Sequence, residues 1–92
     1  MPDFPGSSPL LRELDLSNQN RENGGGLNGT ISKEIFQLGD LSTLNLAGNK
    51  LSGDIPASTG NLAKLKVLNL SSNLLSKQIP AELGRLTGRC LL

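Results

Sequence analysis

The sequence predicts an α/β solenoid of stacked repeats, and three observations carry that expectation. The segments from Leu41 to Pro56 and from Leu65 to Pro80 carry the same residue at seven of eight pattern positions, which is the mark of a repeat architecture. Leucine supplies most of the apolar content. Aromatic bulk, on which a globular core normally leans, is nearly missing, since tryptophan and tyrosine are absent and only Phe4 and Phe36 are aromatic. The chain has 92 residues, enough for one small domain.

Leu41, Leu44, Leu46, Asn49, Leu51, Gly53, Ile55 and Pro56 recur one repeat later as Leu65, Leu68, Leu70, Asn73, Leu75, Lys77, Ile79 and Pro80. Only the glycine position differs. An earlier unit opens on Leu11, Leu14 and Leu16 and closes on Leu27, Gly29 and Ile31, with six residues inserted between. The insertion, near residues 18–26, is rich in glycine and asparagine, as a surface loop should be. A fourth, truncated unit begins near Leu86, with Arg89 where a leucine belongs. Residues 1–9, rich in proline, glycine and serine, read as a flexible lead-in to a repeat domain over residues 10–92.

Within one unit, Leu44-Asn45-Leu46 alternates with period two, so both leucines share a buried face. Strands are therefore expected near Glu13–Leu16, Thr43–Leu46 and Val67–Leu70, in parallel register. Leu14, Leu16, Leu44, Leu46, Leu68, Leu70, Ile55 and Ile79 are expected to be buried. Asn49 and Asn73 follow where the chain must turn, and a stacked asparagine can bond the backbone of its neighbour. Gln19 holds that place in the first unit, which leaves Asn18 or Asn20 for the task. Gly53 suits a backbone position with few steric limits. Ile55 and Ile79 are β-branched and suit a second, shorter strand, which Pro56 and Pro80 end before a helical turn. Leu83 is then expected to point inward from the turn Pro80–Gly84. No unit can bury its leucines alone, so neighbours must stack.

The motif LxxLxLxxNxLSGxIP, with LSGDIP at Leu51 to Pro56, resembles the plant-type leucine-rich repeats of receptor-like kinases, receptor-like proteins and polygalacturonase inhibitors. The resemblance runs from Leu11 to about Leu86. It implies a right-handed arc with a parallel sheet on the concave face and short helical turns on the convex face. It further implies an extracellular or cell-surface fragment of a plant receptor ectodomain, a membrane-associated glycoprotein acting in signalling or defence, that binds a protein or peptide ligand. The alternative is a structural spacer or truncated repeat product without binding activity of its own. Ser32 stands where proline is usual, and Thr59 where leucine is usual. Paired-cysteine caps are absent from the sequence.

On an arc of this kind the alternation assigns three columns to the concave face: Glu13, Thr43 and Val67; Asp15, Asn45 and Asn69; and Ser17, Ala47 and Ser71. These are the candidate binding residues. None is a tryptophan, tyrosine or arginine, the types that dominate protein hot spots. Asn28-Gly-Thr30 and Asn69-Leu-Ser71 fit the N-glycosylation acceptor pattern. Asn69 also fills a repeat position that Asn45 fills without such a pattern, which makes Asn28, expected in a turn after the insertion, the better acceptor.

Other function classes find little support. The sequence holds no histidine, so serine–histidine and cysteine–histidine catalysis are excluded, and Cys90 has no partner for a disulfide or a metal site. Gly24-Gly-Gly-Leu-Asn-Gly-Thr30 lacks the lysine of a phosphate-binding loop. No catalytic residue, metal or cofactor is expected. Nine basic residues against eight acidic ones, without a basic stripe or stacking aromatics, argue against nucleic acid. No apolar run is long enough to span a membrane, and no signal peptide opens the chain. Taken as a complete protein it would be cytoplasmic. Its partners are then a protein or peptide, neighbouring repeats of a longer solenoid, or a second copy meeting it at uncapped ends, where Leu91 and Leu92 lie.

Overall fold

A computed structural model describes residues 11–18, 26–76, 78–86 and 88–92, with the backbone alone at Arg89. The lead-in, most of the insertion, Lys77 and Thr87 lie outside the described residues. Each unit contributes one strand to a four-stranded parallel sheet, formed by β1 (Glu13–Asp15), β3 (Thr43–Asn45), β5 (Val67–Asn69) and β7 (Arg89–Leu91) in that order. The register pairs Leu14 with Leu44, Leu44 with Leu68, and Leu68 with Cys90. A smaller parallel set, β2 (Asn28–Gly29), β4 (Lys50–Gly53) and β6 (Leu74–Leu75), runs beside it. Three 3-10 turns, Lys33–Gln37, Ala57–Asn61 and Ala81–Arg85, close the opposite side. Their slim cross-section lets one turn per repeat lie over the core.

The expected leucine face is present. Leu41, Leu44, Leu46, Leu51, Leu62, Leu68 and Leu70 pack into one cluster with Ile35, Leu38, Ile55 and Leu83. Burying each such side chain is worth about 1.5–3 kcal/mol. Burial weakens toward both ends. Leu14 and Leu16 are only half-buried, and Ile79, expected inside, is 59% exposed. An inward-pointing residue of a solenoid is covered by the next unit, not by its own. Of the unit after Ile79, only β7 and its immediate flanks are described, and they do not cover it.

Three further expectations need correction. The short second strand falls on Lys50–Gly53 and Leu74–Leu75, ahead of Ile55 and Ile79, because pairing to the neighbouring unit and not β-propensity decides its place. Asn28 is accordingly in a strand, paired with Lys50, and not in a turn. The fourth unit also continues as β7. Val67 pairs with Arg89 and Leu68 with Cys90, a step two places shorter than the one before it, so Cys90 and not Arg89 stands in the leucine register.

The asparagine ladder is the principal polar structure of the interior. Asn49 Nδ2 donates to the carbonyls of Leu16 (2.9 Å), Leu46 (3.0 Å) and Ala47 (3.3 Å), while its Oδ1 accepts from Leu27 N–H at 3.1 Å. Asn73 repeats the pattern one unit on, with Leu46 (2.9 Å), Leu70 (3.1 Å), Ser71 (3.1 Å) and Leu51 N–H (3.0 Å). In the first unit Asn18 is exposed in a left-handed turn with φ 54, and Gln19 and Asn20 lie outside the described residues. Gly53 has φ 81 and approaches Thr30 of the preceding unit, as its unrestricted backbone allows.

The 3-10 turns show how the two departures from the repeat pattern are accommodated. Ser32, standing for proline, caps the first turn by accepting from Glu34 N–H at 3.4 Å. Thr59, standing for leucine, is fully buried, and its hydroxyl has no hydrogen-bond partner. Next to it Gly60 lies so close to Glu82 that a Cβ would sit 2.5 Å from the Glu82 carbonyl oxygen.

Two stability outcomes follow from these contacts. Asn49→Ala and Asn73→Ala should each cost about 1–3 kcal/mol, because each orphans backbone groups of two units; chemical denaturation with an unmoved midpoint would refute the ladder. Thr59→Val keeps the shape and removes the unsatisfied hydroxyl, so it should stabilise by about 1 kcal/mol. A lower melting temperature for that variant would contradict the burial of Thr59.

Candidate ligand-binding face

The four-stranded sheet is parallel yet leaves one face open. Parallel sheets are ordinarily covered on both sides, so the residues on the open face must tolerate water and supply their own local order. Register brings the expected columns together. Glu13, Thr43 and Val67 align across β1, β3 and β5, as do Asp15, Asn45 and Asn69. Ser17, Ala47 and Ser71 follow two residues beyond the second column and are half-buried. Glu13 and Val67 are exposed and Thr43 is half-buried, so the first column is the most accessible.

The second and third columns are joined by hydrogen bonds that the alternation pattern does not reveal. Asp15 Oδ1 accepts from Ser17 N–H at 2.9 Å and from Ser17 Oγ at 2.6 Å. Asn45 Oδ1 accepts from Ala47 N–H at 3.1 Å. Asn69 Oδ1 accepts from Ser71 N–H at 3.1 Å and Ser71 Oγ at 2.7 Å. Each is an Asx turn that ends a strand by satisfying a backbone N–H locally. The donated bonds, first from the Ser17 hydroxyl and then from its N–H, hold the Asp15 carboxyl below the usual carboxylate range.

The sequence pattern underestimated the width of this face. Through β7, Arg89 joins the register of Glu13, Thr43 and Val67, and Leu91, 44% exposed, joins that of Asn69. The backbone at position 89 therefore extends the first column by a fourth strand. The signal was present in the shortened step from Leu70 to Leu92, which the longer repeat of the preceding units obscures.

A cleft of about 450 Å³ adjoins the face where the strands begin, lined by Arg12, Asp40, Ser42, Lys64 and Lys66. Arg12 and Lys66 are exposed and immediately precede Glu13 and Val67. Ser42 Oγ donates to the Arg12 carbonyl at 3.1 Å, tying the rim of one unit to the next. Lys64 pairs with Asp40 at 2.8 Å. A second cleft of about 340 Å³ is apolar and lies at the far end, among Ile55, Leu70, Leu75, Ile79 and Leu92. Among the described residues no cluster of acidic or cysteine side chains could hold a metal ion, and no helix is long and apolar enough to cross a membrane.

An open-faced parallel solenoid with small polar columns is a scaffold for surface recognition. Residues 27–87 match the leucine rich repeat family, and the chain belongs to it. A search of curated proteins finds no match. Among solved structures, the chain is 43% identical to the Arabidopsis receptor kinase HAESA, determined with the peptide hormone IDA and the co-receptor SERK1; the match covers 97% of this chain and 15% of that one, with a TM-score of 0.77. It is 38% identical to a chain of the PEPR1–AtPEP1 structure, over 91% of this chain and 11% of that one, at a TM-score of 0.77. A chain of the BIR3–SERK2 complex from Arabidopsis thaliana is 39% identical, over 90% of this chain and 43% of that one, at a TM-score of 0.72. The present chain thus spans under half the length of each of these relatives.

The ion pair on the rim gives a pH-dependent readout. The Lys64 ammonium, by its hydrogen bond and then its charge, with a smaller push from Arg12, holds the Asp40 carboxyl below the usual range against the opposing effect of desolvation. A carboxyl depressed by folding stabilises above its unfolded value, and that contribution is lost as pH falls through the folded value. Lys64→Ala should therefore raise the Asp40 titration midpoint followed by NMR. Because Lys64 is 69% exposed and water screens the pair, the melting temperature at neutral pH should barely move. An unmoved Asp40 titration would refute the pairing.

Proposed function

We propose that this chain is a protein- or peptide-binding leucine-rich-repeat module, part of a receptor-like kinase or receptor-like protein ectodomain that acts outside the cell in signalling or defence. The observation that carries the reading is the open sheet face, on which Glu13, Thr43 and Val67 form an accessible column beside polar Asx-turn columns. An extended peptide lying across the strands would meet one residue of each unit in turn. The cationic rim of Arg12 and Lys66 suits an acidic group on that peptide. The likeness to the receptor kinase HAESA determined with the peptide hormone IDA supports the same reading. Recognition, not catalysis, is the role assigned to this face.

A second reading rests on the apolar far end. Leu92 (47% exposed) and Ile79 (59%) line the smaller cleft near β7, the end strand of the four-stranded sheet. An exposed strand edge next to apolar surface suits another repeat or a second copy of this chain. In that role the chain spaces a longer solenoid instead of meeting the ligand itself.

Selection of a displayed random-peptide library on the immobilised chain, followed by calorimetry of the recovered peptides, separates the two. On the first reading peptides are recovered, and Thr43→Lys or Val67→Lys weakens them at least tenfold, about 1.4 kcal/mol, with the melting temperature retained. Lys33→Ala, on the convex side, leaves affinity unchanged. Recovered peptides insensitive to both lysine variants would remove the concave face as the binding site.

A further inference from the structure

We propose that Asn28 carries an N-linked glycan and that Asn69, though it bears the same acceptor pattern, does not. The proposal rests on the extracellular reading above. In the reaction, Nδ2 of the acceptor attacks the anomeric carbon of a lipid-pyrophosphate-linked oligosaccharide. A nitrogen–carbon bond forms, the carbon–oxygen bond to pyrophosphate breaks, the lipid pyrophosphate leaves with the electron pair, and the amide nitrogen gives up a proton. The acceptor needs a hydroxyl two residues on. The folded product must also accept a bulky polar group standing off its surface.

Asn28, Gly29 and Thr30 meet these demands as a unit. All three are exposed. They lie on and just after β2, the end strand of the order β2-β4-β6, so only one flank meets a neighbouring strand of that set. Gly29, with φ 75, turns the chain at once and ends the strand after two residues. This strand belongs to the smaller set, so a sugar attached here is rooted outside the four-stranded sheet.

Asn69 sits in the opposite situation. It is half-buried on β5, with β3 and β7 on either side and Asn45 and Leu91 as its register neighbours. Its side-chain oxygen accepts from both the backbone N–H and the hydroxyl of Ser71, so the hydroxyl of the acceptor pattern is engaged within the Asx turn. Asp15 and Asn45 make the same turn without an acceptor pattern. Asn69 is thereby explained by strand termination, and a glycan there would cover the column proposed to meet ligand. The flank is sugared and the concave face stays bare.

The full chain, translated behind a cleavable secretion leader into microsomes, tests this directly. The protease-protected product should show a single glycan shift, which peptide N-glycosidase removes to leave aspartate at position 28. Asn28→Gln and Thr30→Ala should each abolish the shift, and Asn69→Gln should leave it intact. A protected chain without a glycan, with two, or with one that survives Asn28→Gln would overturn the proposal. Peptide binding by chain made in bacteria, which carries no such glycan, is scored separately, so failure of the binding reading and failure of the glycan assignment are distinguishable.

Discussion

The carboxamides of Asn49 and Asn73 are the interaction on which the rest of this solenoid depends. Where the chain leaves each inner strand it exposes carbonyls, Leu16 and Leu46 among them, that no strand partner satisfies. Burying such a group without a partner costs about 1–3 kcal/mol, enough to cancel what burying a single leucine returns. Asn49 and Asn73 resolve this in the second and third units, each donating both to its own turn and to the turn of the preceding unit, while its oxygen takes the N–H of Leu27 or Leu51. The same side chain therefore ends the inner strand, aligns the second strand and fixes the stacking distance. Glutamine, one methylene longer, cannot reproduce that reach from the same backbone position.

With the stacking distance fixed, the open face follows. Parallel register places equivalent residues of successive units side by side, so any property repeated in sequence becomes a stripe in space. The Asp15, Asn45 and Asn69 stripe serves the fold, because each closes a turn with the residue two places on. The Glu13, Thr43 and Val67 stripe has no such duty and varies in charge, size and polarity. Division of labour between adjacent columns lets one vary without loss of the other.

The framework was legible because leucine recurs at fixed steps within the units and asparagine at the same step in the second and third, where both act alike. What escaped reading depended on relations between units. Ile79 holds the same place in its unit as Ile55, before a proline, yet Ile55 is buried and Ile79 is exposed. The second strand follows its hydrogen-bond partners at Lys50–Gly53 instead of the β-branched isoleucine two residues on. The strand at Arg89–Leu91 was hidden because its step from Val67–Asn69 is two places shorter than the step from Thr43–Asn45 to Val67–Asn69. Of the candidate face, the columns were readable from alternation; the Asx turns were not, since aspartate and asparagine are equally at home in loops.

The contact between Gly60 and the Glu82 carbonyl bears on the curvature of the whole arc. On the outer side, two successive 3-10 turns meet there with no side chain between them. The inner strands keep their spacing through hydrogen bonds that hardly stretch, so the outer spacing sets how sharply the solenoid bends. A methyl group at position 60 would act as a wedge on the outer circumference, bending the inner face more tightly. The outline offered to a ligand is thus governed partly by a residue that no ligand touches, and shape can drift independently of the chemistry lining it.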